Sequence, residues 1–387
     1  MTLPPATPAD GRPRPAPLLE VDGLVVEFAT SDGVVRAVDG LSWHVDAGET
    51  LAVVGESGSG KSVSSLAVMG LLQTPPARVV AGSVRFAGTD LLQLPRAEHR
   101  AYCGEHVAMV FQDALAALNP VYTIGFQLTE ALVARKGTSR REARRRAVEL
   151  LDLVRVPNAR QRVKEFPHQF SGGMRQRVVL AMALAMDPQV LIADEPTTAL
   201  DVTVQAQIMA LLAEIQAERE MALVLITHDL GVVASVADRV TVMYAGRAVE
   251  QAPVLQTFHQ PAHPYTAALL RSVPRLDGEL DDDAELEVIA GRPPELVDLP
   301  PGCSFHPRCP RALDVCRDDP PPALRLVAPE QRAACHVAEE QLADSAAQHG
   351  AAEASPPETP PPPAPAPAVG VPPRAQPGRS EGEVLGG

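Results

Sequence analysis

Leu51-Ala52-Val53-Val54-Gly55-Glu56-Ser57-Gly58-Ser59-Gly60-Lys61-Ser62 decides how this chain folds. The leading apolar run has no polar alternation, as expected of a short strand buried on both faces. The residues after it fit G-x-x-x-x-G-K-[ST], and an apolar helix pattern from Val63 to Leu72 follows. Strand, glycine-rich loop and helix in that order form a phosphate cradle. Glycines let the backbone curl until successive N–H groups face phosphate oxygens, and the helix N-terminus adds partial positive charge. Gly55, Glu56, Ser57, Gly58, Ser59 and Gly60 are the expected cradle, for the phosphates of a nucleotide. Lys61 is placed to reach the β- and γ-phosphates, and the Ser62 hydroxyl to bind Mg²⁺. A simple glycine-rich turn leaves Lys61-Ser62 unexplained.

Working outward, Val190-Leu191-Ile192-Ala193 is a second buried-strand run, and it ends in Asp194-Glu195. Two carboxylates at a strand end suit Asp194 to hold Mg²⁺ through water and Glu195 to polarise an attacking water. Ala222-Leu223-Val224-Leu225-Ile226 is a third run. Leu24–Phe28 and Leu41–Val45 predict antiparallel strands joined by an Asp32-Gly33 turn. Residues 113–186 predict a mostly helical stretch. Within it Thr138-Ser139 opens a helix with Ala143, Ala147, Leu150, Leu151 and Val154 on one face. Together 18–258 predicts one α/β domain.

The 387 residues exceed what one compact core usually takes. A net charge of −14 argues against general attraction to nucleic acid, and 3% aromatics leave little for base stacking. No stretch reaches the roughly 18 uncharged apolar residues of a spanning helix. The N-terminus shows no basic-then-apolar signal pattern, so the expectation is a cytoplasmic chain whose membrane role comes through a partner. Proline crowds residues 1–17 and 341–387 without apolar periodicity, which predicts two disordered tails. From 259 to 340 the character changes. His263-Pro264-Tyr265 leads a short helix, Thr266 to Ser272; an acidic loop covers 277–287, and a Pro- and Cys-rich segment follows.

Between the two nucleotide motifs lies Phe170-Ser171-Gly172-Gly173-Met174-Arg175-Gln176-Arg177. With Ala193-Asp194-Glu195-Pro196-Thr197 downstream, the sequence resembles the ATP-binding cassette (ABC) ATPases, and Ser171-Gly172-Gly173 looks like their signature. The resemblance implies a P-loop cassette: a RecA-like core, an antiparallel β subdomain and a helical subdomain, with a small Cys-rich C-terminal lobe added. It also implies further positions. Phe28 matches the aromatic that stacks on adenine, and Gln112 matches the Q-loop residue that meets Mg²⁺. Ala199-Leu200-Asp201 resembles the D-loop, and His228 the switch histidine. The signature commonly begins Leu-Ser-Gly-Gly-Gln. Here Phe170 and Met174 depart from it while Ser171 and the glycines are kept. In the family the signature of one cassette faces the P-loop of another, so Ser171 can reach a γ-phosphate only after closure. Thr197 to Gln207, His263-Pro264-Tyr265-Thr266 and Pro301 to Pro310 look like the dipeptide, oligopeptide and nickel importer branch. That branch implies two membrane permease subunits, a second ABC ATPase subunit (a paralogue or this chain itself) and an extracytoplasmic peptide-binding protein. The chain would then sit at the cytoplasmic face of the membrane. Alternatives are an importer ATPase for nickel or another small solute, and a soluble ABC ATPase outside transport.

Four of the five cysteines, Cys303, Cys309, Cys316 and Cys335, fall close together. In a reducing compartment that reads as metal binding before disulfides. Zinc is the default for four Cys, but its close x2–x4 pairs are absent. A 4Fe–4S cluster accepts wider spacings, and the family resemblance favours it. Four small thiols without metal are the remaining reading. Because these residues lie outside every ATP motif, the expected role is structural, with little effect on ATP binding.

Overall fold

The computed structural model describes residues 16–31, 33–198, 200–272 and 288–353. Strands β1 (Leu19–Thr30), β2 (Gly33–Val45), β4 (Ala77–Phe86) and β5 (Thr89–Asp90) form an antiparallel sheet ordered β2-β1-β4-β5. A second sheet takes β3 (Thr50–Val54), β6 (Val107–Val110), β7 (Val190–Asp194), β8 (Ala222–Ile226), β9 (Arg239–Tyr244) and β10 (Arg247–Pro253). Two late strands, β11 (Arg325–Ala328) and β12 (Gln331–Ala333), complete its order, β11-β12-β10-β9-β3-β8-β7-β6. The pairs β3–β8, β3–β9, β6–β7 and β7–β8 are parallel.

The unbroken apolar runs follow from burial on two sides. Val190, Ile192, Val224 and Ile226 pack toward the antiparallel sheet, with Leu51, Val53 and Val68. Their alternates Leu191, Ala193, Leu223 and Leu225 pack toward the helices, with Ile124, Leu150 and Leu180. A strand with period two and apolar neighbours on both faces needs no polar alternation.

The helical stretch contains helices over Ile124–Lys136, Arg140–Leu153 and Gly172–Ala183, with short turns between them. Ser139 caps the second, its side chain accepting from the Glu142 N–H, and Ala143, Ala147, Leu150 and Leu151 are buried as the spacing predicts. Strands β1 and β2 pair antiparallel with Thr30 opposite Gly33; Asp32 lies outside the described residues. The short helix after His263 runs Pro264–Arg271, and the acidic loop lies outside the described residues.

One expectation for the C-terminal part is corrected. The chain does not lose regular structure at 341: a helix runs Ala338–Glu353, Leu342 packs against Ala262 and Val337, and the Ser345 hydroxyl reaches the Pro261 carbonyl. The Cys-rich segment is joined to the cassette by strand pairing and side-chain packing. β12 hydrogen-bonds to β10, which otherwise ends the sheet as an exposed edge, and buried Phe305 joins Tyr244 and Tyr265 in one cluster. Glu250 of β10 fastens the same region. Fully buried, its carboxylate accepts from the backbone N–H groups of Ala262 and His263 and from the Gln331 amide. Among the described residues no helix is long and apolar enough to cross a membrane.

Candidate functional site: the ends of the parallel strands

β3, β7 and β8 run side by side in one direction, so their C-terminal ends deliver three loops to one place. β3 delivers Gly55–Ser62, β7 delivers Asp194-Glu195, and β8 delivers Thr227-His228. The loop after β3 depends on its glycines for space. At Gly55 a Cβ would stand 2.2 Å from the Met243 carbonyl oxygen, and at Gly60 2.3 Å from that of Ala37. Both backbones have positive φ, so a side chain there meets strain and a clash together.

Lys61 is buried at the first turn of the helix Lys61–Val68, and its Nζ donates to the carbonyl oxygens of Gly55 at 2.8 Å and Glu56 at 3.0 Å. Burial pushes its pKa down, while the carboxylates of Glu195, Asp194 and Glu56 oppose that shift. The Ser62 hydroxyl donates to Asp194 Oδ1 at 3.0 Å. Burial raises the Asp194 pKa, against the pull of that hydrogen bond. A hydroxyl and a carboxylate in contact beside a buried ammonium are the group types that a polyphosphate and its divalent counter-ion require.

Glu195 is the centre of a side-chain network. Its backbone holds φ +47, in the left-handed region, and its N–H donates to the Ile226 carbonyl at 2.8 Å. Oε2 accepts from the Gln112 amide at 3.0 Å and the Thr198 hydroxyl at 2.9 Å, and Oε1 lies 3.2 Å from His228 Nδ1. A carboxylate held on both oxygens is oriented to take a proton from water. Three residues far apart in sequence, Gln112, Glu195 and His228, thus meet where the loops converge. Thr198 was missed by sequence reasoning; its signal was a turn that returns three residues after Glu195.

Other expected residues stand elsewhere. Phe28 is half-buried in β1 opposite Val35 and Ala77 and packs against the core. Ser171 caps the helix Gly172–Ala183, accepting from the Met174 N–H at 3.4 Å. Among the described residues no hydrogen bond links Ser171, Gly172 or Gly173 to the P-loop, Asp194 or Glu195. A Cβ on Gly173 would stand 2.6 Å from Val204 Cγ1, so this glycine lets the helix Val202–Arg219 come close. Ala199 lies outside the described residues.

The cysteine segment reaches the same loop. Among the described residues no group of three or more His, Cys, Asp or Glu stands where it could hold a metal ion, so the expected Cys site is not present as a ready set of ligands. The thiols are neighbours nonetheless. Burial raises the pKa of Cys303, Cys309 and Cys335, the last to about 12, and the charges of Cys303, Cys309 and Cys316 add to the effect at Cys335. The Cys303 N–H donates to the Cys316 carbonyl at 2.9 Å. Cys103 is separate, packed by Val68, where burial lifts its thiol to about 11. The four cysteines lie outside the ATP motifs, but a neighbour of theirs in the same segment reaches the P-loop. Arg308, the residue before Cys309, forks onto the Glu56 carboxylate at 2.7 and 3.0 Å, and the Tyr265 hydroxyl accepts from the Glu56 N–H at 2.9 Å. Sequence reasoning missed both, because nothing in spacing joins residues so far apart.

A P-loop on a parallel sheet, with an acidic pair on the next strand but one, a glutamine and a histidine on one carboxylate, defines an ATPase cassette. Residues 38–198 match the family model described as "ABC transporter", and residues 249–316 match "Oligopeptide/dipeptide transporter, C-terminal region". The chain belongs to the ABC transporter ATPase family. It is 52% identical over 331 residues to the oligopeptide transport ATP-binding protein OppD of Salmonella typhimurium, covering 85% of this chain and 97% of that protein. It is also 52% identical to the dipeptide transport ATP-binding protein DppD of Bacillus subtilis, covering 77% and 88%. Among solved structures, a dimeric ATP-binding cassette bound to ADP and Pi superposes with TM-score 0.55 at 26% identity, covering 61% of this chain and 98% of that one.

Proposed function

We propose that this chain hydrolyses ATP to drive import of di- and oligopeptides through a membrane permease. The observation that carries the reading is the joining of two parts. The loop ends hold Lys61, Asp194 and Glu195 in one site, and the region that matches peptide-transport proteins grips the same P-loop. In this reading Gly55 to Ser62 bind the phosphates, Ser62 and Asp194 hold Mg²⁺ with Gln112 beside it, and Glu195 takes the proton of the attacking water. His228 orients Glu195, and Phe28 stacks on adenine. Residues 18–258 form the cassette, with the helical part 113–186 facing the permease, and 259–340 the importer-type addition. Partners are two permease subunits, a second cassette and an extracytoplasmic peptide-binding protein, with this chain at the cytoplasmic face. Deleting the gene should abolish uptake of labelled short peptides while free amino acid uptake continues. Loss of nickel uptake with peptide uptake intact would overturn the peptide cargo and leave the ATPase standing.

Ser171, Gly172 and Gly173 act in this reading on the nucleotide of the facing cassette, consistent with their separation from this chain's own P-loop. Ser171→Arg should therefore lower hydrolysis by about tenfold or more, since closure gates the chemistry, without weakening ATP binding. Parallel binding and turnover measurements check it. Equal loss of both would return Ser171 to its own chain's site.

The four thiols fit a 4Fe–4S cluster better than one zinc ion. The charges of Cys303, Cys309 and Cys316 reach Cys335, which supports a shared site, and a cluster takes thiolates at wider sequence spacings than the close x2–x4 pairs usual for zinc. Cys303, Cys309, Cys316 and Cys335 would hold it as thiolates, and the bound cluster would supply positive charge that offsets their burial. Protein purified without oxygen should be brown, with broad absorption near roughly 400 nm and about four iron and four sulfide per chain. Replacing any one of the four by Ser should bleach it, and Cys103→Ser should not. A colourless preparation with one zinc per chain would move the site to zinc, and absence of metal would end the metal reading.

A further inference from the structure

Glu56 is an odd residue for a phosphate cradle, because it brings a carboxylate to a loop built to attract anions. Its charge reaches Lys61, the cation of that loop, and draws on it together with Asp194 and Glu195. The Lys61 ammonium also donates to the Glu56 carbonyl oxygen. Left unpaired, the Glu56 side chain would compete with phosphate for Lys61 and repel the nucleotide.

The structure pairs it from outside the cassette. Arg308 meets the Glu56 carboxylate with both terminal nitrogens, at 2.7 Å and 3.0 Å, and its side chain is only 6% exposed. Its Nε donates to the Ala290 carbonyl at 2.9 Å and its Nη1 to the Tyr244 hydroxyl at 3.2 Å. The guanidinium also lies over the rings of Tyr244 and Phe305, 5.9 and 6.0 Å from their centroids. A planar fork held on every nitrogen and on its faces has little freedom to leave. Tyr265, packed against the same rings, fixes the backbone of Glu56 through its hydroxyl.

Resting on the reading of this loop as the ATP site, we propose that Arg308 is a positioning residue for nucleotide binding, neutralising Glu56 and turning its carboxylate away from the phosphates. The importer-type C-terminal region is then part of the ATP site's electrostatics, although it touches no phosphate.

The test measures Mg²⁺-ATP affinity of the full-length protein by calorimetry, with folding followed by circular dichroism. Wild type is read first, because failure to bind overturns the nucleotide reading and this proposal with it. With wild type binding, Arg308→Met should weaken affinity by about tenfold, the cost of leaving a poorly solvated carboxylate unpaired. Arg308→Lys, which keeps the charge but loses the fork, should fall between wild type and Arg308→Met. The decisive variant is Glu56→Gln/Arg308→Met, which removes both charges and should regain affinity to within about threefold. A merely structural clasp would leave the double variant as weak as Arg308→Met or weaker, and that result overturns the proposal. Wild-type affinity in Arg308→Met overturns it as well. Should Arg308→Met fail to fold, the double variant against wild type decides in the same way.

Discussion

Glu195→Gln is expected to lower ATP turnover by about 10²–10⁴-fold while Mg²⁺-ATP binding survives. The substitution keeps the shape of the side chain and an oxygen for Gln112 or Thr198, the donors that hold Oε2. What it removes is the carboxylate that the proposed mechanism uses to accept a proton from water. With chemistry blocked, bound ATP should keep two cassettes together, because a composite site opens only after hydrolysis. Size-exclusion chromatography with ATP should therefore show a stable dimer, and steady-state phosphate release should show the lost turnover. A variant that turns over at the wild-type rate would remove Glu195 from the reaction. If it stays monomeric with ATP present, this chain does not form the composite site with itself, and a co-expressed second cassette is the next arrangement to measure.

Lys61→Ala should act earlier, on binding itself. Lys61 is the buried cation of the loop, and its ammonium sits within 3.0 Å of the carbonyl oxygens of Gly55 and Glu56. Two charge-assisted hydrogen bonds to phosphate at about 1.5 kcal/mol or more each make the loss roughly a hundredfold or greater, which takes affinity below detection. The burial that lowers the Lys61 pKa is opposed first by Glu195 and Asp194, and removing the ammonium leaves their negative charge uncompensated in the site. Equilibrium binding of Mg²⁺-ATP checks it, and wild-type affinity in the variant would dismiss the loop as the nucleotide site.

The two variants separate what the site does in sequence. In the proposed reading Lys61 acts on arrival of the nucleotide, Glu195 on its cleavage, and Ser171 on the closure between them. Arg308 belongs with Lys61, since both set the charge that an incoming polyphosphate meets.

Local order already decided much of this. The run 51–54 before a glycine-rich loop, and the run 190–193 before Asp194-Glu195, specify buried strands that end in a glycine-rich loop and an acidic pair. An uninterrupted apolar run has no other stable place in water. Ser139 and the spacing of Ala143, Ala147, Leu150 and Leu151 specify a capped amphipathic helix for the same local reason. Contacts between distant residues were decided only by tertiary structure. Gln112, Thr198 and His228 meet on Glu195 because parallel strands bring their C-terminal ends to one edge. Arg308 meets Glu56 because β12 closes the exposed edge of β10 and draws the Cys-rich segment over the P-loop. Low apolar content and four cysteines suggested a small metal-stapled lobe, with no sign of how it attaches. Backbone hydrogen bonding to a sheet edge, which leaves no periodic trace in side chains, joined it to the cassette.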